Sequence, residues 1–281
     1  MNKTQLYLWM ERVKSLILHV FLFGSLILML TPFAWMISTS FKTRQESYSM
    51  PPTWIPDEIT FSNYIELFQA VDFARPLMNS IIVAVATTSI SLVVCAMAAY
   101  AITKFNFRGR KQTFLLILST MMVPGQVTTI PVFLLMKKIG LVNTYTGIII
   151  PAIASVSTIF FLRQFLTTIS NDYIEAAKIE GAGEWTIFSK LIFPMMKPAL
   201  ITMGIFTFTG AWNSFFWPLI IATDDRFYTL PLAMTILNGQ HGGNIGLNMA
   251  GAIVVILPLI VLFMFTQKYI IQSMNVGGLK G

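Results

Sequence analysis

NDYIEAAKIEGAGEWTIFSKLIFPMMKPAL, residues 171–200, interrupts a chain built largely of long apolar runs. It is too charged to cross a bilayer and too regularly patterned to be slack. Asp172 stands three residues before Glu175, the spacing of a capping box, and strong helix formers follow to Glu180. Gly181 and Gly183 stop that helix. Glu184 then places an acid in the first turn of a second one, in which Trp185, Phe188, Leu191 and Ile192 recur at helical spacing. Pro194 is expected to end it. The stretch therefore predicts two short helices with a glycine elbow between them.

Outward from this stretch the chain is greasy. Of 281 residues 55% are hydrophobic and 11% charged, and the mean hydropathy is +0.70, far from the balance of a soluble domain. A hydrocarbon core of about 30 Å needs roughly 20 apolar helical residues. Windows of that kind fall at about 15–41, 77–103, 113–136, 147–162, 198–223 and 249–267. The fold class is therefore all-α, an integral membrane protein with six transmembrane helices. Residues 1–14 are expected as an amino-terminal segment, 15–270 as the membrane domain including the polar loop 171–197, and 271–281 as a tail. Pro32 lies inside the first span, which membrane helices tolerate. Pro124-Gly125 and Pro131 predict a kinked or unwound third one. Residues 42–76, with Pro51, Pro52 and Pro56 and five acids, read as a water-exposed loop. The second span is rich in Ala, Ser and Thr, which let helices approach closely.

Basic residues set the orientation. With the amino terminus inside, 13 of the 19 lysines and arginines fall in inside segments and 6 outside, the bias of a chain with both termini and the 171–200 stretch in the cytoplasm. The net charge of +7 is spread between spans rather than gathered on one face, so it speaks for topology and not for nucleic acid. Lone Cys95 forms no internal disulfide. No GxxxxGK[ST] phosphate loop occurs, and no His, Cys or carboxylate cluster has metal-ligand spacing. Asp172, Glu175, Glu180 and Glu184 have no nucleophile or histidine beside them, which argues against an enzyme site. A stand-alone secondary transporter would place ionisable groups deep in its spans. Only His19 lies within one, near its inner end, where a snorkelling or partner-bonded ring is the expected reading rather than a relay.

Adjacent Ala176 and Ala177 beside Tyr173 and Ile174 make a helix surface flat enough to enter a groove, with Glu175 ready to pair with a base; taken alone, they read equally as helix filler and a self-capping acid. The spacing of Glu175-Ala176-Ala177, Gly181, nine further residues and Leu191-Ile192-Phe193-Pro194 resembles the EAAxxxG and IxLP signature of the membrane subunits of binding-protein-dependent ABC importers. Leu191 and Phe193 depart conservatively from it. Asn63-Tyr64, Asn79-Ser80, Asn143-Thr144-Tyr145, Arg163-Gln164-Phe165, Trp212-Asn213 and Trp217-Pro218 look like landmarks of the oligosaccharide and glycerol-phosphate branch, in its second permease subunit.

That resemblance implies a multi-pass permease of a bacterial cytoplasmic membrane. It would pair with a homologous permease, two ATPase subunits and an extracytoplasmic solute-binding protein, and import a di- or oligosaccharide, with glycerol 3-phosphate or a polyol as the alternative. The chain itself would bind no cofactor; ATP and magnesium would be used by the ATPases. Glu175, Ala176, Ala177, Gly181 and Pro194 would form the coupling helix contacts. Trp212, Asn213 and Trp217, with Asn79, are candidates for the substrate path, although aromatic crowding in membrane helices serves packing or an interfacial belt equally well and Asn79 can cap its own span. Gly239, Gly242, Gly243 and Asn244 lie in a glycine-rich loop where related permeases face the binding protein. The carboxy-terminal residues 277–281 match a tail that reaches toward the ATPases.

Overall fold

A computed structural model describes residues 3–70, 73–240 and 243–277, and every regular element among the described residues is helical. In chain order the helices are α1 (Lys3–Ser40), α2 (Ser62–Ala70), α3 (Ala74–Lys104), α4 (Arg110–Ser119), α5 (Gly125–Lys138), α6 (Tyr145–Ile149), α7 (Val156–Leu166), α8 (Asp172–Ile179), α9 (Glu184–Met195), α10 (Lys197–Trp212), α11 (Phe216–Ile221), α12 (Leu230–Gln240) and α13 (Ile245–Gly277). Trp9–Ser40, Ala74–Lys104 and Ile245–Lys268 are each long and apolar enough to span a bilayer. Three bent pairs meet the same test of length and composition, so the described helices allow up to six spans, the number expected from the sequence. They are Arg110–Met122 with Gly125–Lys138 at 101°, Tyr145–Ala152 with Val156–Leu166 at 47°, and Glu184–Met195 with Lys197–Trp212 at 75°.

Several boundaries differ from expectation, each for a local reason. α1 is helical from Lys3 and its span begins at Trp9, not at 15, because nothing between them breaks a helix and Glu11 and Lys14 pair one turn apart at 3.8 Å. It runs unbroken through Pro32. The expected third span turns through far more than a kink at Val123-Pro124. The expected fifth span stops at Trp212; Asn213–Phe215 leaves the helix, and α11 starts afresh. Pro218 explains the break, since in a continuous helix its ring would meet the Ser214 carbonyl. At the far end α13 stays helical to Gly277 rather than giving way to a tail at 271.

Two units divide the chain: Met1–Val71 with Leu237–Ile256, and Asp72–Ile236 with Leu257–Gly281. In the first, the most apolar stretch of α1 buries none of its residues, as for a helix that is hydrophobic all round and faces lipid. His19 Nδ1 donates to the Ser15 carbonyl at 2.6 Å, the partner-bonded state expected of it. The loop after α1 is folded rather than water-exposed throughout. Lys42 is buried, its ammonium lying 4.4 Å from the Trp35 ring centroid and donating to the Thr53 carbonyl. Lys42 is thus a packed cation rather than a solvated one. Asn63 ties the α1 end to α2 by donating to the carbonyls of Ser40 at 3.0 Å and Lys42 at 2.8 Å.

In the second unit α3 is the spine. Ala84, Thr87, Ser91, Cys95 and Ala99 form a buried stripe of small residues at three- and four-residue spacing, and α7 and α10 lie along α3. Small side chains let backbones approach closely, so van der Waals packing holds the helices together where the hydrophobic effect between apolar spans is absent. Asn143 is the hub of the outer corner. It adopts φ 55°, accepts from the Thr223 N–H at 2.7 Å and the Asp224 N–H at 3.1 Å, and donates to Thr223 Oγ1 at 2.8 Å. The Arg226 guanidinium hydrogen-bonds Asp224 and holds its carboxyl at about 2, so this pair contributes above the ordinary carboxylate range and is lost only as pH falls toward 2. Asn143→Ala forfeits these bonds and strains a left-handed backbone, an expected cost of about 2–3 kcal/mol. A thermal denaturation scan of the purified protein reads it as a midpoint several degrees lower.

Candidate functional site

The 171–200 stretch folds as two helices around a glycine elbow. Its glycine is required by geometry. Gly181 has φ +83°, its N–H reaches the Lys178 carbonyl at 3.0 Å, and the Ala182 N–H reaches the Ala177 carbonyl at 2.9 Å. These are the two bonds of a Schellman motif, which needs a left-handed residue just past the helix. The expected capping box is not made: the N-cap position is Asn171, with no side-chain cap bond, and Ser170 Oγ instead accepts the Asp172 N–H at 3.2 Å.

Pro194 does not end the second helix. α9 continues to Met195 because residues 187–192 widen into a π turn, which removes the carbonyl clash that a proline imposes on a regular α-helix. The chain bends at Met196, and α10 starts with Pro198 in its first turn.

Helix α8 is two-faced. Ile174 is buried and Ala177 packs against the same core as Leu166, Ile187 and Phe188. One step around the helix, Tyr173, Ala176 and Ile179 face outward, with Tyr173 54% and Ile179 88% exposed. Glu175 is exposed and makes no ion pair among the described residues. This leaves an exposed apolar stripe at i, i+3, i+6 with a carboxylate beside it that is unpaired among the described residues.

Two struts tie this surface to α3. Lys104 at the α3 end donates to the Ile169 carbonyl at 2.6 Å and to Asn171 Oδ1 at 2.8 Å. Across the elbow, Lys178 pairs with Glu184 at 2.6 Å, and the Tyr100 hydroxyl donates to the same carboxylate at 3.3 Å. The Tyr100 ring packs on Phe188 at 5.4 Å. Polar contacts thus join the segments flanking both ends of α8 to α3. Lys104→Met combined with Glu184→Leu keeps apolar stems in place and removes the groups that make both struts. Transport is expected to fall about tenfold, the loss of two charge-assisted bonds that position the helix, at unchanged membrane content in quantitative immunoblots.

The second feature is a cavity of about 560 Å³ in the same unit, walled by the middle of α3, the start of α5, residues 148–158 and residues 203–217. Of the residues named for a path, Trp217 lines it, its indole N–H donating to the Gly147 carbonyl at 3.1 Å. Asn79 lies elsewhere. It is buried, donates to the carbonyls of Arg226 and Tyr228 at 2.9 Å each and accepts from the Tyr145 hydroxyl at 2.6 Å, which makes it a cross-link between segments. Trp212 is buried and stacked on Phe208 at 5.9 Å. Asn213 is exposed rather than buried, in the break after α10. Sequence reasoning missed Thr87, Thr207 and Ser214 in the cavity wall; their signal was only that spans rich in small hydroxyl residues pack closely. It also missed the Lys178–Glu184 pair, for which opposite charges flanking a glycine pair were the available sign, and Lys104, whose partners Ile169 and Asn171 are distant in sequence.

Several residues of the glycine-rich segment have defined places in the fold. Gly239 belongs to α12. The Gly243 carbonyl accepts from the Tyr48 hydroxyl at 2.7 Å, and buried Asn244 accepts the Leu247 N–H at 3.3 Å. Gly242 lies outside the described residues, as do residues 278–281 of the expected tail.

With this geometry in place, the chain belongs to the family of binding-protein-dependent transport system inner membrane components, whose sequence model matches residues 91–276. It is 36% identical over 227 residues to the arabinooligosaccharides transport system permease protein AraQ of Halalkalibacterium halodurans, covering 80% of this chain and 81% of that one. It is 30% identical over 264 residues to the lactose transport system permease protein LacG of Rhizobium radiobacter, covering 94% and 96%. A chain in the crystal structure of a bacterial ABC transporter involved in the import of the acidic polysaccharide alginate matches it with a TM-score of 0.81 at 25% identity, over 96% of this chain and 98% of that one. This protein is accordingly an ABC-transporter permease of the inner membrane, and the resemblance carried by its glycine elbow is met.

Proposed function

We propose that this chain is one of two homologous permeases in an ATP-driven importer of an oligosaccharide, and that α8 is its coupling helix. The observation that carries the reading is the outward stripe of Tyr173, Ala176 and Ile179 beside unpaired Glu175, on a helix braced to the α3 spine. Such a helix is suited to enter a cleft on an ATPase subunit, with Ala176 small enough for close approach. When two ATPase copies close on ATP, coupling helices move with them, and the struts at Lys104 and Glu184 pass that movement to α3. Alternating access then follows from a partner's two-state closure. The excess of basic residues between spans puts α8 and both termini on the cytoplasmic side. The carbohydrate assignment is supported by relatives described as permeases for arabinooligosaccharides and lactose.

Isolating the affinity-tagged chain in mild detergent from cells that carry the neighbouring subunits tests this reading. The expected preparation contains a second permease and an ATP-hydrolysing subunit, and its uptake of sugar in vesicles requires ATP and a solute-binding protein. A chain purified alone that accumulates sugar on an ion gradient would make it a secondary transporter instead.

A further inference from the structure

We propose that the cavity in the second unit is this subunit's own substrate subsite, and that it takes an uncharged polyhydroxy ligand, a neutral oligosaccharide unit rather than a uronate or a phosphate ester. The proposal deepens the importer reading and rests on it. Its volume of about 560 Å³ falls in the range of small-molecule sites, about 300–1,000 Å³. None of its lining residues is charged. A carboxylate or phosphate entering it would lose hydration without meeting a cation, whereas sugar hydroxyls can exchange water for other hydroxyls at little cost.

The wall carries hydroxyls in two states. Those of Thr128 and Thr129 are spent on the Gly125 carbonyl, and that of Thr158 on Ser155. Thr87 is different: it lies at mid-α3, is 2% exposed, and its hydroxyl is buried without a partner. Buried hydroxyls in membrane helices ordinarily bond the carbonyl one turn back; of the threonine hydroxyls buried without a partner among the described residues, those of Thr39, Thr87, Thr88 and Thr229, that of Thr87 belongs to a residue of the cavity wall. Thr207 and Ser214, from α10 and the break after it, face the same space. Trp217 adds a flat ring fixed by its bond to Gly147, a surface suited to the apolar face of a sugar. An apolar helix of a second subunit filling the cavity would leave the Thr87 hydroxyl unpaired, which disfavours that occupant.

The test uses the intact importer, purified with its partner subunits and reconstituted in vesicles with its binding protein. Neutral probes are arabinotriose, lactose and raffinose; charged probes are trigalacturonate and glucose 6-phosphate. We expect at least one neutral probe to be imported and neither charged probe to be imported or to compete. Thr87→Val with Thr207→Val, near-isosteric changes, should lower uptake of the neutral sugar about tenfold, the worth of two neutral hydrogen bonds, with the subunit composition of the purified complex unchanged. Import of a charged probe, or undiminished neutral uptake by the double variant, overturns the proposal and leaves the importer reading intact. Loss of the second permease from the double variant also overturns it, by showing that a partner helix sits there. Import of none of the probes by the unaltered complex would count against the carbohydrate reading itself.

Discussion

Glu175→Lys is expected to abolish ATP-driven uptake while the chain still inserts and accumulates normally. The carboxylate is exposed and makes no ion pair within the chain, so no internal contact is lost. Reversing charge in the first turn of α8 works against the helix dipole by only about 0.3–1 kcal/mol. At a docked surface the consequence is larger: a paired charge becomes a like-charge contact, and hot-spot losses of about 2–4 kcal/mol lower coupling by roughly thirtyfold or more. Glu175→Gln keeps shape and one acceptor and should retain intermediate transport. Gly181→Val reaches the same end by another route. A Cβ there would meet nothing within 4 Å, but φ +83° strains a β-branched residue and opens the elbow. Uptake and sugar-stimulated ATP hydrolysis, measured on membranes matched for permease content, read all three variants.

Gly147→Ala is expected to cost folding rather than coupling. A Cβ at Gly147 would sit 2.0 Å from the Leu141 carbonyl oxygen and 3.3 Å from Thr144 Oγ1. The first of these is backbone and cannot swing away. Gly147 is also committed on both sides: its N–H donates to Thr144 Oγ1 at 3.0 Å, capping α6, and its carbonyl accepts from Trp217. Moving the backbone to admit one methyl therefore disturbs a helix cap and the cavity wall together. The expected loss exceeds about 3 kcal/mol, a large fraction of the stability of an ordinary domain, and appears as a severalfold fall in detergent-stable protein by fluorescence-detected size exclusion. Gly24→Ala is the matched control. Its Cβ meets nothing within a continuous helix, so yield should stay level or rise slightly.

These two glycines show what a sequence displays and what it conceals. Gly181 was legible because a helix-forming run, a glycine and a new acidic first turn follow one another along the chain, and the Schellman bonds are local. Gly147 was not, because the oxygen that excludes a side chain comes from a loop six residues away whose path is fixed by Asn143 and its bonds to Thr223 and Asp224. The apolar windows at about 15–41, 77–103 and 249–267 fall on the three helices long and apolar enough to cross a membrane, since hydrophobic length is a local property. Their ends were less readable: proline marks a place where a helix is costly, and whether it breaks there depends on neighbours. Pro32 passes unbroken, Pro218 follows a break, and Pro194 is absorbed by a π turn. The aromatic cluster after residue 211 misled for a related reason. Trp212, Asn213 and Trp217 are adjacent in sequence, but the break at Asn213 sends Trp212 into packing and Trp217 toward the cavity. The hydroxyl wall combines four separated segments, and no periodicity within any one of them reports the shared space.

The coupling role of α8 is tested most directly by replacing Ala176 with a photo-crosslinking amino acid in cells that carry the complete importer. Ala176 is exposed on the outward stripe, so the substitution leaves the inner face of the helix untouched. Illumination should join this chain to an ATP-hydrolysing subunit, with the yield changing when ATP hydrolysis is blocked. Crosslinks confined to lipid, or to a protein on the opposite side of the membrane, would contradict the account.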